Sequence, residues 1–471
     1  MYPLACVTFI LIGTALGENN FNPGIKSKIT QKGLDYGKQI AMTVAEEKIK
    51  ELHLPEISGK VHLLGSLKYH IDGMWIRSFG LPVSNIGLIP NTGVKFSVDK
   101  AHIAISGNWH VKYGLIRDGG NFDLNINDLS AVFAVGVSLS SSRPMIIDKG
   151  CDARLVNFDL KLHGGGSWFY KKFLGKVKDM IQQTVPQKVC SEFRDMVGKL
   201  EAIIQTIKVS WQLDKYVEFD FSLVGEPKIT TDFIESPIKG EVYDVRHHTE
   251  APFTAQSFNL SNTTDQMLVV GLSEYTVNTG CFAYLVAGAL RMNITDDMIP
   301  KDIPFRLNTS TLELLLPKVA KEYPNLLMKI VLSATKQPTV KFVRGKFTSN
   351  VFTAAEVFAI LPNNSLAELF LLGITASVCG QVHISEEGLH GSLSLSSVDL
   401  VLEESKVGTI PTKLFETFLR MGLQKVVIPK INAKLKKGLP IPKIDKISLM
   451  NPFLEIDQGL ILITTDIQYG N

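Results

Sequence analysis

The chain has 471 residues, 45% hydrophobic and 20% charged, with a formal net charge of +3. This is a globular composition, long enough for roughly two to four domains, and it excludes a disordered polyelectrolyte. A balance of +3 is also too small to imply nucleic-acid binding.

Taken in chain order, the first signal is the apolar run "YPLACVTFILIGTALG", which has signal-peptide length and ends in the small-x-small pattern Ala15-Leu16-Gly17. It predicts removal of residues 1–17, a mature chain from Glu18 and secretion to the extracellular space. No Lys or Arg precedes the apolar core, so an uncleaved anchor is the competing reading. Elsewhere no stretch of about 20 residues is free of charge or strong polarity, and no spanning helix is predicted.

Residues 22–52 place Ile25, Ile29, Tyr36, Ile40 and Val44 at helical spacing. Leu34, Ala41 and Ala45 widen that face, while Gly33 and Gly37 permit close backbone approach. Long strands follow. In "IAISGNWHVKY" the odd positions Ile103, Ile105, Trp109, Val111 and Tyr113 face one way, against Ser106, Asn108, His110 and Lys112. Val94, Phe96 and Val98 alternate just before, and "DKAH" reads as a short connection between antiparallel neighbours. Further alternation covers Phe122 to Ile126, Leu129 to Leu139, and Val156, Phe158, Leu160 and Leu162. From Ser167 to Ile207 apolar residues step by three or four, predicting a helix of about 40 residues, ~60 Å long and bent at Pro186.

The polar, weakly periodic stretch 246–259 reads as a linker between residues 18–245 and 260–471. Beyond it the pattern repeats: strands, a helix around "LELLLPKVAKEY", more strands, then a helix from Pro411 to about Lys437. Cys6 leaves with the leader. Cys151, Cys190, Cys281 and Cys379 form an even set in an oxidising compartment, open to three pairings. Separation by half favours Cys151 with Cys190, leaving Cys281 and Cys379 either bonded to each other as a second disulfide or buried as thiols. Glycosylation sequons occur at Asn259, Asn262, Asn293, Asn308 and Asn363, all in the second half.

Catalytic signals dissolve on inspection. "HGGGS" at His163 to Ser167 suggests an oxyanion-binding loop, but no G-x-S-x-G supplies a nucleophile. The glycines more simply relax a strand-to-helix turn. "HISEEGLH", with His383, Glu386, Glu387 and His390, reads as a hairpin tip rather than a metal site, and no Cys has zinc-site spacing. No catalytic residue, metal or cofactor is predicted. What remains is apolar helix surface against twisted antiparallel sheet, which can enclose a cavity for an acyl chain; a dry, filled core is the competing reading.

The segments "NPGIKSKITQKGLDYGKQIA", "LPVSNIGLIPNTGVKFSVDKAHIAISGNW", "GNFDLNI", "LVVGLSEYTVNTG", "DDMIPKDIPFRL" and "LPNNSLAELFLLG" resemble the bactericidal/permeability-increasing protein and lipopolysaccharide-binding protein family from Asn22 to the C-terminus. The resemblance implies an α+β fold: two similar barrel domains, each a twisted antiparallel sheet with helices, joined by a central antiparallel sheet in a boomerang shape. It implies a phospholipid pocket in each half as the ligand site, with Ile29, Tyr36, Ile40 and Val44 helping to wall the first. The family disulfide falls on Cys151 and Cys190. The implied function is non-enzymatic: a secreted monomer binding lipopolysaccharide, through its lipid A, and phospholipid at bacterial outer-membrane surfaces, in innate immunity against Gram-negative bacteria. Its basic barrel tip corresponds here to Lys48, Lys50, Lys60, Lys68, Lys112 and Arg117, interspersed with acidic and neutral residues. That dilution makes extracellular phospholipid or neutral-lipid transfer without an antibacterial role the alternative, although the strand-like ending "GLILITTDIQYGN" lacks an extra amphipathic helix.

Overall fold

The computed structural model describes residues 21–470 other than 51–53, 63–65, 262–264, 302, 304, 314 and 441–446. The side chains of 44–50, 61–62, 167–173, 176, 414, 439–440 and 447 are also outside the description. The predicted leader, residues 1–17, lies outside it too.

Where the sequence predicts one helix over 22–52, the chain forms a strand and then a helix: β1 (Ile25–Thr30) and α1 (Gln31–Lys50). Ile25 and Ile29 have helical spacing, but β1 hydrogen-bonds along both edges to strands more than 200 residues away. Long-range pairing overrides the local period. Gly33 is needed where α1 begins, because a Cβ there would stand 2.8 Å from the Met267 carbonyl oxygen; nothing approaches Gly37 within 4 Å.

The N-terminal sheet follows with β2 (Ile57–His62), β3 (Ser66–Gly80), β4 (Val83–Ile89), β5 (Gly93–Tyr113), β6 (Ile116–Ser140) and β7 (Arg143–His163). Its order is β2-β3-β5-β6-β7, with β4 beside β5. The predicted break at "DKAH" is absent. β5 runs through it, with register shifts at Val98, Ala101 and Ile103 and Lys100 at φ 56°. A bulge interrupts alternation much as a turn does. The same effect corrects Val156: Asn157 pairs with Asp128 and Leu155 with Leu129, so the skipped Val156 is exposed while Leu155 is buried.

The 40-residue helix α2 (Ser167–Thr206) continues through Pro186 and packs along β7. Ile181, Val185 and Val189 meet Val98, Ile126, Leu129 and Leu155, and the Phe193 ring lies 4.8 Å from that of Phe133. The Cys151–Cys190 disulfide, with Cα atoms 5.5 Å apart, ties helix to sheet. Gly164 and Gly165, at φ 82° and 76°, form the turn that enters α2.

Next come β8 (Ser210–Gln212), β9 (Val217–Asp220), β10 (Lys228–Ile229), β11 (Phe233–Ile238) and β12 (Glu241–Asp244), of which β12, β9 and β8 make a small sheet. Residues 246–259 carry no helix or strand. The second half contains β13 (Leu268–Ser273), α3 (Glu274–Val286), β14 (Arg291–Thr295), α4 (Pro317–Glu322), β15 (Met328–Ala334), β16 (Thr339–Val343), β17 (Lys346–Ile360), β18 (Leu366–Ile384), β19 (Gly388–Ser405), α5 (Thr412–Gly422), α6 (Ile428–Lys437), β20 (Leu439–Pro440), β21 (Ile447–Asp457) and β22 (Leu460–Tyr469). Helix α4 is shorter than "LELLLPKVAKEY" predicts. Pro317 cannot extend a preceding helix and instead opens a new one. Between α5 and α6, Leu423–Val427 forms a π-helical turn just before Pro429, whose nitrogen has no hydrogen to donate.

The C-terminal sheet order, β14-β15-β17-β18-β19-β20 with β16 beside β17, matches the N-terminal order strand for strand and adds β20. A central sheet, β10-β11-β1-β13-β22-β21, joins the halves. Its middle is the antiparallel β1–β13 pair, from Ile25 opposite Leu272 to Ile29 opposite Leu268. Each of these two strands leads directly into a helix. The architecture is α+β: two similar barrels of twisted antiparallel sheet plus helices around a shared sheet. Lys28 is buried in that shared sheet, donating to the Ser261 carbonyl at 2.9 Å with its ammonium 4.2 Å from the Phe233 ring centre. Burial lowers its pKa, and Glu235 opposes that shift.

Candidate functional site

Four predicted basic residues stand in one line. The antiparallel register sets Lys60 opposite Lys68, Lys68 opposite Lys112, and Lys112 opposite Arg117, across β2, β3, β5 and β6. Directly opposed residues share a face with Cβ atoms about 4.5–5.5 Å apart, and like charges so placed repel. All four side chains are exposed, and none has an ion pair among the described residues. The opposite face is apolar, with Trp109 packed beside Phe122 and Leu160 and its indole nitrogen donating to the Asn121 carbonyl. Trp109 is a core residue. The sheet thus spends its inner face on stability and leaves its outer face to charge.

One step behind this row, His70 lies opposite His110, and both Nε2 atoms flank Asp72 Oδ2 at 3.3 and 3.2 Å. Ser58 Oγ sits 2.7 Å from His70 Nδ1. Acidic residues therefore accompany the histidines, while the outermost row is purely cationic. Its hairpin ends at Gly114 and Leu115, with Leu115 fully exposed. Lys48 and Lys50 have side chains outside the described set.

The second feature is a cavity of about 950 Å³, its mouth included, in the C-terminal barrel. Its walls include Met328, Val357, Phe370, Phe415 and Leu423, from the sheet, α5 and the π-helical turn. The rings of Phe370 and Phe415 meet edge to face at 5.7 Å. Polar lining residues come from one segment, Arg306, Asn308 and Thr311. Arg306 is committed: it donates to the Ile299 and Asp296 carbonyls and, at 2.7 Å, to Asp296 Oδ2. That hydrogen bond holds the Asp296 carboxyl below its usual range. Asn308 Oδ1 accepts from the Thr311 amide and hydroxyl. Such a chamber suits hydrocarbon, with little to neutralise a buried charge.

Other predicted residues are scattered. Ile29 is exposed on β1 rather than on the first helix. The Tyr36 hydroxyl accepts from the Tyr469 amide at 2.9 Å, tying α1 to the last strand; Ile40 is half-buried, and the Val44 side chain lies outside the description. The second disulfide is not formed, and both thiols are free. Cys281 packs on the cluster that includes Val382 and Ile384, whereas alternation along β18 turns Cys379 to the opposite face, where its sulfur contacts Ser394 Oγ. Burial pushes the Cys281 thiol up to about 11; hydrogen bonds from Ser394 and Ser396 lower that of Cys379.

Of the sequons, Asn259, Asn293 and Asn363 are exposed, Asn308 is half-buried, and Asn262 lies outside the described residues. Among the described residues, one group, Glu241, His248 and Glu250, brings three metal-ligating atoms within 4.8 Å. A cation is already there: Lys239 Nζ is 2.8 Å from Glu241 and 3.1 Å from Glu250. Burial opposes its charge, yet these partners and Asp220 hold its pKa above the ordinary value.

Comparison with known proteins adds ancestry to this geometry. A model of the LBP / BPI / CETP family N-terminal domain matches residues 33–201, and that of the C-terminal domain matches 211–469. A bactericidal permeability-increasing protein of Sebastes schlegelii is 37% identical over 468 residues, covering 98% of this chain and 99% of that protein. A lipopolysaccharide-binding protein of Bos taurus is 29% identical, covering 98% and 97%. A crystal structure of lipopolysaccharide binding protein superposes with a TM-score of 0.60 at 26% identity, covering 95% of this chain and 99% of that one.

Proposed function

Because the chain belongs to the LBP / BPI / CETP family, whose members bind and transfer lipids and are not enzymes, we propose that it is a secreted protein binding lipopolysaccharide and phospholipid, active against Gram-negative bacteria. The observation that carries this reading is the Lys60–Lys68–Lys112–Arg117 row. Folding gains nothing from aligned like charges, whereas a phosphate-bearing surface relieves their repulsion. Lipid A presents phosphate beside acyl chains. The row takes the phosphates, and burial of hydrocarbon contributes about 0.8 kcal/mol per methylene. The C-terminal cavity holds acyl chains of a phospholipid, with Arg306, Asn308 and Thr311 toward its headgroup. An N-terminal lipid site uses Ile40 on α1, and residues 246–259 link the two barrels of a monomer.

Reversing three charges, Lys60→Glu, Lys112→Glu and Arg117→Glu, tests the assignment in full-length protein. Lipid A affinity should fall at least ~30-fold while the circular dichroism spectrum and melting temperature hold, given about 1 kcal/mol per exposed contact. Unchanged affinity refutes the tip assignment. Lipid transfer without antibacterial action is the second reading, favoured by the nearly unpolar cavity. It requires the triple variant to keep full transfer between vesicles and the wild type to leave bacteria unharmed.

A further inference from the structure

The outward-facing row behind the cations is built from different chemistry. Across β2, β3, β5 and β6 it reads Ser58, His70, His110 and Gly119, each opposite the next. Asp72 lies two residues beyond His70 on β3 and so shares its face. The two oxygens of this carboxylate are engaged differently. Oδ1 accepts from the Asn108 amide at 3.0 Å, which orients the group, and Oδ2 is left to the imidazoles, 3.3 Å from His70 Nε2 and 3.2 Å from His110 Nε2. Ser58 Oγ engages the other ring nitrogen of His70 at 2.7 Å, and a Glu56 carboxylate oxygen stands 3.7 Å from His70 Nε2. His110 lies over the bare Gly119, where a Cβ would come within 3.1 Å of its Nδ1. Among the described residues no Lys or Arg pairs with Asp72, whereas Glu241 and Glu250 already hold Lys239.

We propose that His70 Nε2, His110 Nε2 and Asp72 Oδ2 bind a divalent transition metal of the zinc class, with Glu56 in reach of the fourth position. Two neutral imidazoles and a carboxylate form a donor set that suits Zn²⁺ better than Ca²⁺ or Mg²⁺, which take oxygen ligands. The outer partners are also in place. A ligating imidazole needs an acceptor for its remaining N–H and a ligating carboxylate needs a donor to hold it, and Ser58 and Asn108 fill those roles. The two Nε2 atoms stand more than 4.8 Å from each other, so the metal closes the site by turning the rings inward. Their side chains are 39% and 55% exposed, outside the packed core and free to rotate. The metal then stands where hydrogen bonds now join each imidazole to Asp72. Because its ligands come from β3 and β5, it staples these strands about 7 Å behind Lys68 and Lys112, two residues along each strand. At that distance, within a Debye length, its charge adds to the positive field of the row.

The test uses untagged full-length protein, stripped with a chelator and titrated calorimetrically with Zn²⁺ alone. The variants are His70→Gln, His110→Gln and, as a control at the other carboxylate–histidine group, His248→Gln. The wild type should bind Zn²⁺ with micromolar or tighter affinity. His70→Gln and His110→Gln should each weaken binding at least ~10-fold, while His248→Gln leaves it unchanged. Zn²⁺ should raise the melting temperature of the wild type and not that of the two site variants. Co²⁺ should give the wild type the intense visible absorption of a four-coordinate site, a readout that stands whether or not any variant folds. Absence of Zn²⁺ binding, equal affinity in wild type and His110→Gln, or a Co²⁺ spectrum no stronger than that of the aqueous ion overturns the site. Loss confined to His248→Gln places the metal at Glu241 and Glu250 instead and overturns it equally.

Discussion

In the N-terminal half, α2 runs 40 residues against β7 and is fastened there by Cys151–Cys190. Its counterpart in the C-terminal half is one helical run over 412–437 in which a π-helical turn separates α5 from α6, and among the described residues no disulfide fastens it. At that π-helical turn Leu423, Val426 and Val427 are buried and line the cavity. The tips diverge as well. The β5–β6 hairpin carries cations and a bare leucine, while the corresponding β17–β18 turn carries the sequon Asn363 and a Glu368–Lys406 ion pair at its base. One strand order therefore supports two specialisations: an outward-facing charged end and an inward-facing apolar chamber. The strand ladders set the shared frame, and loop chemistry and the regularity and fastening of the long helix set the differences.

The largest way to break this comparison is to unfasten the first half. Cys190→Ser should destabilise the N-terminal barrel by ~2–4 kcal/mol, seen as an early, separate calorimetric transition, whereas Cys379→Ser should leave the profile within about 0.5 kcal/mol. Coincident melting in both variants would show that the disulfide does not distinguish the halves. A smaller effect lies beside the cavity, at the partner of its lining residue Arg306. Arg306 holds the folded Asp296 carboxyl below its usual pKa, so its contribution is present above the unfolded value near 4 and is lost as pH falls through the folded one. Asp296→Asn should flatten the acid limb of the stability profile by less than ~1 kcal/mol. An unaltered acid limb would remove Asp296 from the account.

Much of this was legible in the sequence because amphipathic periods are local. The inner face of β5, the long helix α2, the turn at Glu386 and Glu387 and the helical run ending near Lys437 all follow from spacing. Failures occurred where distant chain decides. Ile25 to Thr30 has helical spacing yet is claimed by β11 and β13. Helix α3 buries Thr276, Thr279 and Ala283, two of them polar and β-branched, so no apolar stripe marks it. Bulges at Lys100 and Val156 imitated a turn and a buried position. The basic residues were identifiable singly, but their alignment depends on the register of four strands. Leu115 was hidden for a simpler reason: a lone leucine beside a glycine has no period. The cavity-lining Phe305, Phe415 and Phe418 come together only through the fold.

Native mass spectrometry of the full-length protein, followed by lipid extraction, tests the central claim most directly. Lipid binding predicts a discrete adduct that yields an acyl lipid on extraction, and uptake of phospholipid from vesicles by protein that has been stripped. A protein that carries no lipid mass and takes up neither phospholipid nor lipopolysaccharide would contradict it.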